Sequence, residues 1–297
     1  MKAQRPHDRW FFGSLAALAL VTGLVVGAIV GGPALYVGGG LGISGAASVA
    51  LALRRRSQRR RAVLASPFPE AWRTLLEDRY DHFDRLPAPL KARFQDDVRI
   101  FLAEKRITGV EVEVTEELRV LVAASAVTLS LGWPDYEWDQ LTEVLLYPQD
   151  FGRDYSFETA ELSGQTHAWG TVILSVPTLR ESFADADDGL HVGLHEFAHL
   201  LDLDHARFSG MPSGLRSEAE WLELVEREMG RLRRGKSALD PYGDESPAEF
   251  TAVAVEAFFE MPLLLRRRHQ ELYAVLADYF RQDPAAWDDE RGLWLAR

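Results

Sequence analysis

Leu190-His191-Val192-Gly193-Leu194-His195-Glu196-Phe197-Ala198-His199-Leu200-Leu201-Asp202 is the stretch around which this 297-residue chain is organised. Its centre, His195-Glu196-Phe197-Ala198-His199, has the form H-E-x-x-H. An α-helix places residues four apart on one face, one turn up. His195 and His199 can therefore aim two imidazole nitrogens at one point, and zinc takes such nitrogens at about 2.0–2.1 Å. Glu196 sits one step round the helix, too far off that face to be the natural third ligand. It suits a general base that works on water. The helical reading rests on Leu190, Leu194, Phe197, Leu200, Leu201 and Leu203, which supply an apolar surface. Asp187 or Asp188 stands where an N-terminal cap belongs. A core helix seldom carries two histidines and a glutamate unless something satisfies them, and a metal centre is the expected answer.

Composition narrows the chemistry. Apolar residues make up 47% of the chain, ample for a core, and there is no cysteine. Disulfides, thiolate nucleophiles and sulfur-ligated zinc are thereby excluded, so any metal is held by His, Asp or Glu. The net charge of −12 is unevenly placed: residues 1–61 carry nine Lys/Arg against one acid, Asp8, and the rest of the chain is strongly acidic. An acidic body repels nucleic acid, and no direct nucleic-acid partner is expected.

The basic head reads as a membrane segment. Residues 11–30 and 34–53 contain no charge and are separated by Gly31-Gly32-Pro33. Each stretch has the roughly 20 residues that span a bilayer core of about 30 Å. Gly23, Gly27 and Gly31 are spaced by four, as are Gly38 and Gly42, and small residues at that spacing let helices pack closely in lipid. The expectation is a transmembrane helical hairpin over residues 1–61. Lys2, Arg5 and Arg9 flank it on one side and the arginines between Arg54 and Arg61 on the other. By the positive-inside rule both flanks stay in the cytoplasm, and so does the catalytic body, residues 62–297, at the inner membrane. A cleaved signal peptide is the rival reading. The second apolar stretch and the arginine block after it stand against that.

Beyond a linker over residues 62–69, periodicity predicts helices over 70–80, 87–105 and 116–131, with strands over 109–115 and 143–147. A turn is expected at Ser163-Gly164-Gln165 and a strand over 170–176, with a helix beginning near Leu179. That strand is expected at the sheet edge, where it aligns a peptide by strand addition. Helices follow over 216–234, 246–260 and 262–280. Strands placed early and helices after them give an α+β fold, one that suits a zincin-like metallopeptidase, with an active-site helix under a small sheet.

A catalytic zinc wants three protein ligands and one open position. Spacing leaves three sources for the third. His205 lies six residues after His199, but Asp202 stands where the corresponding motif has the glycine that turns the chain back. Glu218 and Glu220 lie about twenty residues on, in an acid-rich run that reads as a solvated face. Glu249 lies in Ser246-Pro247-Ala248-Glu249-Phe250, where Ser246 suits the cap and Pro247 the first helical position. Glu249 and Glu256 share one face of an otherwise apolar helix, and buried carboxylates need partners.

These residues together resemble the Mlc titration factor A family of zinc-dependent peptidases, related to the anthrax lethal factor catalytic domain. His195-Glu196-Phe197-Ala198-His199-Leu200-Leu201-Asp202, Pro247-Ala248-Glu249-Phe250 and Glu256-Ala257-Phe258-Phe259 carry the resemblance, with Glu143-Val144-Leu145-Leu146-Tyr147-Pro148 and Ser163-Gly164-Gln165 in support. It covers about residues 67–285 and not the membrane hairpin. The resemblance implies one zinc ion held by His195, His199 and Glu249, with Glu196 as base. Tyr242, seven residues before Glu249, matches a tyrosine that faces the oxyanion in the lethal factor site. Asp202 and Glu256 are placed to steady the ligand histidines from behind. Peptides or proteins are the implied substrates. The family's name also implies a second possibility, a binding protein that holds a transcriptional regulator at the membrane, with proteolysis secondary.

Overall fold

The computed structural model describes residues 34–134, 136–151, 162, 164–167, 169–185, 187–205 and 218–290, with four helical positions, 21, 22, 25 and 29, near the start. It divides into two compact units, Met1–Pro67 and Phe68–Arg297. In the first, α1 (Ala34–Ala65) is one continuous helix. It runs through the arginine block and into the stretch expected as linker. Residues 11–30 lie for the most part outside the described residues. Among the described residues no helix is long and apolar enough to cross a membrane.

The second unit contains α2 (Glu70–Arg79), α3 (Asp81–Arg85), α4 (Ala88–Glu104), β1 (Ile107–Gly109), α5 (Glu116–Ser130), β2 (Glu143–Tyr147), β3 (Gly164–Thr166) and β4 (Thr171–Ser175). After them come α6 (Val176–Ala184), α7 (Val192–His205), α8 (Glu218–Arg233), a 3-10 turn at Pro241–Asp244, α9 (Pro247–Glu260), α10 (Pro262–Arg268), α11 (Gln270–Phe280) and α12 (Pro284–Glu290). Helix α5 is the spine. Thr115 caps it by accepting from Leu118 N, and Val120 to Ser130 are all buried. It packs against both α4 and α7. That explains its almost unbroken apolar sequence, since a helix buried all round has no face to keep polar.

The sheet has the order β1-β2-β4-β3. β1 and β4 flank β2 in parallel, with Val144 opposite Val172, and β3 runs antiparallel to β4. Strand 170–176 therefore does not lie at the edge. Its Val172-Ile173-Leu174-Ser175 is buried, as a strand with a neighbour on each side requires. Among the described residues β3 is the outer strand on that side. The expected turn at Ser163-Gly164-Gln165 is likewise corrected, since Gly164 opens β3. The alternation of Val110, Val112 and Val114 does not make a strand. Glu111 has φ 59, and a Cβ at Gly109 would fall 2.0 Å from the Val112 carbonyl oxygen. The chain doubles back there, and Val112 and Val114 pack on the core from a loop. The helix expected over 262–280 breaks at His269. Its buried ring is drawn into tertiary bonds, with Nδ1 2.6 Å from Glu228 Oε2 and Nε2 accepting from Ala238 N.

Candidate metal centre

Helix α7 brings His195 and His199 one turn apart, with ring centroids 4.8 Å apart. Its N-terminus is closed differently from the sequence reading. Asp188 accepts from Leu190 N in a turn before the helix. The cap is His191, whose Nδ1 accepts from Leu194 N. A neutral imidazole has one ring nitrogen free to accept, so a histidine can do what Ser or Asp does at this position.

The facing wall is α9. Ser246 accepts from Glu249 N and Pro247 takes the first turn, so Glu249 is held at the helix N-terminus. There the macrodipole favours a negative charge. Glu249 Oε2 lies 2.9 Å from His195 Nε2 and 3.3 Å from His199 Nε2. One ligand atom from each of His195, His199 and Glu249 lies within 4.8 Å of the others. Two turns along α9, Glu256 reaches the back of the same ring. Its Oε1 is 2.7 Å from His195 Nδ1, and its Oε2 accepts from the backbone N–H of His191. With Nδ1–H committed to Glu256, His195 Nε2 is left to face Glu249.

The electrostatics follow from this packing. Burial disfavours a charged His195, but the hydrogen bonds its ring donates to the Glu249 and Glu256 carboxylates outweigh it and raise the ring to about 10. Hydrogen bonds from His195 and His199 hold Glu249 far below the usual carboxylate range. Burial pushes Glu256 up, opposed by His195. Burial also raises Glu196, which is opposed by the two histidines and by Thr166. A carboxylate drawn onto two imidazole nitrogens occupies the geometry in which a divalent cation would take all three donors. Two nitrogens and one carboxylate oxygen suit zinc, and the chain has no cysteine thiolate to offer instead.

The other expected residues are placed as follows. Glu196 is 5% exposed, beside β3. Tyr242 lies in the 3-10 turn, held by Asp240, which accepts from Tyr242 N. Its ring centroid is 5.9 Å from that of His195. Asp202 belongs to α7, but its side chain lies outside the described residues, as do those of His205 and Glu218. Glu220 is exposed on α8. Sequence reading missed His191 as cap and as backbone donor to Glu256. It also missed Gly164 and Thr166, which meet Glu196. Contacts across thirty or sixty positions leave no periodic trace; only the family-like Ser163-Gly164-Gln165 pointed there.

Fold and site together define an α+β domain of the metallopeptidase kind, with a His-His-Glu group able to hold a metal ion. The family model for the glucose-regulated metallo-peptidase M90 matches residues 54–281, and the chain belongs to that family. An uncharacterised protein of Synechocystis, slr2042, is 29% identical over 244 residues, covering 76% of this chain and 89% of its own. Mlc titration factor A of Edwardsiella ictaluri is 32% identical over 247 residues, covering 72% of this chain and 92% of its own. The same-named protein of Salmonella arizonae is 32% identical over 207 residues, 62% of this chain and 80% of its own. The family read from the sequence is the family found.

Proposed function

We propose that this chain is a zinc-dependent peptidase. The observation that carries the reading is the convergence of His195, His199 and Glu249, within 4.8 Å of one another. Three protein ligands suit a catalytic zinc, since a structural one fills all four positions from the protein. When bound, zinc supplies the Lewis acidity that polarises a scissile carbonyl and readies water for attack near neutral pH. The chain's own residues do the rest. Glu196 takes a proton from the attacking water as the C–O bond forms. It delivers that proton to the amide nitrogen as the C–N bond breaks, which restores the carboxylate. Tyr242 donates a hydrogen bond to the developing oxyanion. Glu256 fixes the ring of His195 from Nδ1, and the family resemblance is the ground for giving Asp202 a supporting role toward a ligand histidine. The substrate lies extended along β3.

The test is a pair of variants. Glu196→Gln keeps one zinc per chain by metal analysis and loses most peptide cleavage. Glu249→Ala loses the zinc on dialysis. Full cleavage by Glu196→Gln would falsify the mechanism.

Two further parts of the reading rest on the sequence and the relatives. The first is that residues 1–61 anchor the chain as a hairpin in the inner membrane, with the acidic body in the cytoplasm. The uncharged stretches and their arginine flanks support this. The second is a regulatory partner. The relatives carry the name Mlc titration factor A, and a regulatory protein partner is proposed for this chain as its alternative role. Capture by the Glu196→Gln form separates the cases. A protein held only when cleavage is blocked is a substrate. One held equally by wild type is a regulatory partner.

A further inference from the structure

β3 lies directly against the proposed base. Thr166 Oγ1 is 2.8 Å from Glu196 Oε2 and 2.8 Å from the Glu196 carbonyl oxygen. One hydroxyl proton is thus offered to the carboxylate and to the backbone of the same residue. Gly164 is two positions earlier, so it shares Thr166's face of the strand. Register confirms the alignment, with Thr166 opposite Val172 and Gly164 opposite Leu174 on β4. A Cβ at Gly164 would come 2.5 Å from Glu196 Oε1, 2.6 Å from its Cγ and 2.8 Å from its Cδ. Gly164 is not among the described glycines with positive φ. Its need is therefore space and not backbone freedom. The two carboxylate oxygens are thus located separately, Oε2 at the threonine hydroxyl and Oε1 in the room left by the missing side chain. Glu196 is 5% exposed, and a buried carboxylate without such a partner would be costly.

We propose that Gly164 and Thr166 are positioning residues that seat the Glu196 carboxylate. The strand that receives the substrate would thereby also aim the base at it. The inference rests on the reading of Glu196 as base. It predicts that removing the hydroxyl, or filling the space, misdirects the carboxylate without disturbing the metal ligands. Misplacement of about an ångström is enough to cost a factor of a hundred in rate.

The experiment uses the full chain, zinc-loaded, with a quenched fluorescent peptide selected from a mixed peptide library as one that wild type cleaves. Thr166→Val keeps the shape and removes the donor; Thr166→Ser keeps the donor. For Thr166→Val, kcat is expected to fall roughly tenfold to hundredfold with KM within about twofold, since a general base is worth about 10² to 10⁴ in rate. Thr166→Ser should recover most of that loss. Gly164→Ala should show a comparable fall in kcat, because the new Cβ displaces Cγ, Cδ and Oε1 of Glu196 together. All three should retain the wild-type zinc content. The proposal is overturned by near-wild-type kcat in Thr166→Val or Gly164→Ala. It is equally overturned by a serine variant as poor as the valine, or by losses that track missing zinc. Equal rates in wild type and Glu196→Gln would instead sink the reading of Glu196 as base, and with it the role given to β3.

Discussion

Glu256→Gln is the sharpest single perturbation of the ground on which the metal site stands. Glu256 is 4% exposed and uses both oxygens, one on His195 Nδ1 and one on the backbone N–H of His191. Both partners donate. An amide of the same shape has one accepting oxygen and an NH₂ that only donates, so one of the two contacts must become donor against donor. If the backbone contact is the one lost, a buried N–H is orphaned, which costs about 1–3 kcal/mol of folding stability. If the ring contact is lost, His195 is freed to rotate or change tautomer. Removing such an outer partner weakens metal binding about tenfold to hundredfold, or about 1.4–2.7 kcal/mol at 1.36 kcal/mol per decade. The amide will choose the cheaper loss, so the two effects trade against each other. The assay is zinc affinity by competition with a chelating dye, run beside urea unfolding of the metal-free chain. Zinc affinity within twofold of wild type together with unchanged stability would refute the argument, because neither contact could then have mattered.

Two other outcomes follow. Burial pushes the Glu260 carboxyl up to about 9, with Asp188 and Glu256 adding to it and Arg85 opposing. Unfolded, the same group ionises near 4.5, so across this window the unfolded chain holds fewer protons and stability falls as pH rises. Glu260→Gln should flatten that fall, read as urea midpoints at intervals from pH 5 to 9; a curve parallel to wild type would contradict it. For the membrane anchor, the full chain should stay with the membrane fraction after alkaline carbonate washing, and a chain beginning at Phe68 should be released. Full-length protein in the soluble fraction would remove the anchor.

Much of the site was legible because its logic is local. The four-residue spacing of His195 and His199 makes them neighbours wherever a helix forms, and Ser246-Pro247 announces the turn that carries Glu249. The helical repeat also puts Glu249 and Glu256 on one face, and the structure sets both against His195. The largely apolar run of residues 116–131 reads as a central helix for the same reason: from Val120 to Ser130 every residue is buried.

What lay beyond sequence was every decision made between segments. Spacing left His205, Glu218, Glu220 and Glu249 all open as the third donor, and among the described residues it is the packing of α9 across α7 that puts a carboxylate within reach of both imidazoles. Strand 171–175 is interior and 164–166 is the outer strand because pairing order depends on which strands meet, and a five-residue apolar run looks the same in either place. His269 became a helix break because its ring met Glu228 and Ala238 across the core, and His191 became a cap, its ring accepting from Leu194 N in the first turn while its backbone N–H reached the distant Glu256. Local repeat geometry is encoded residue by residue; the distance between two side chains dozens of positions apart is set by the whole core at once.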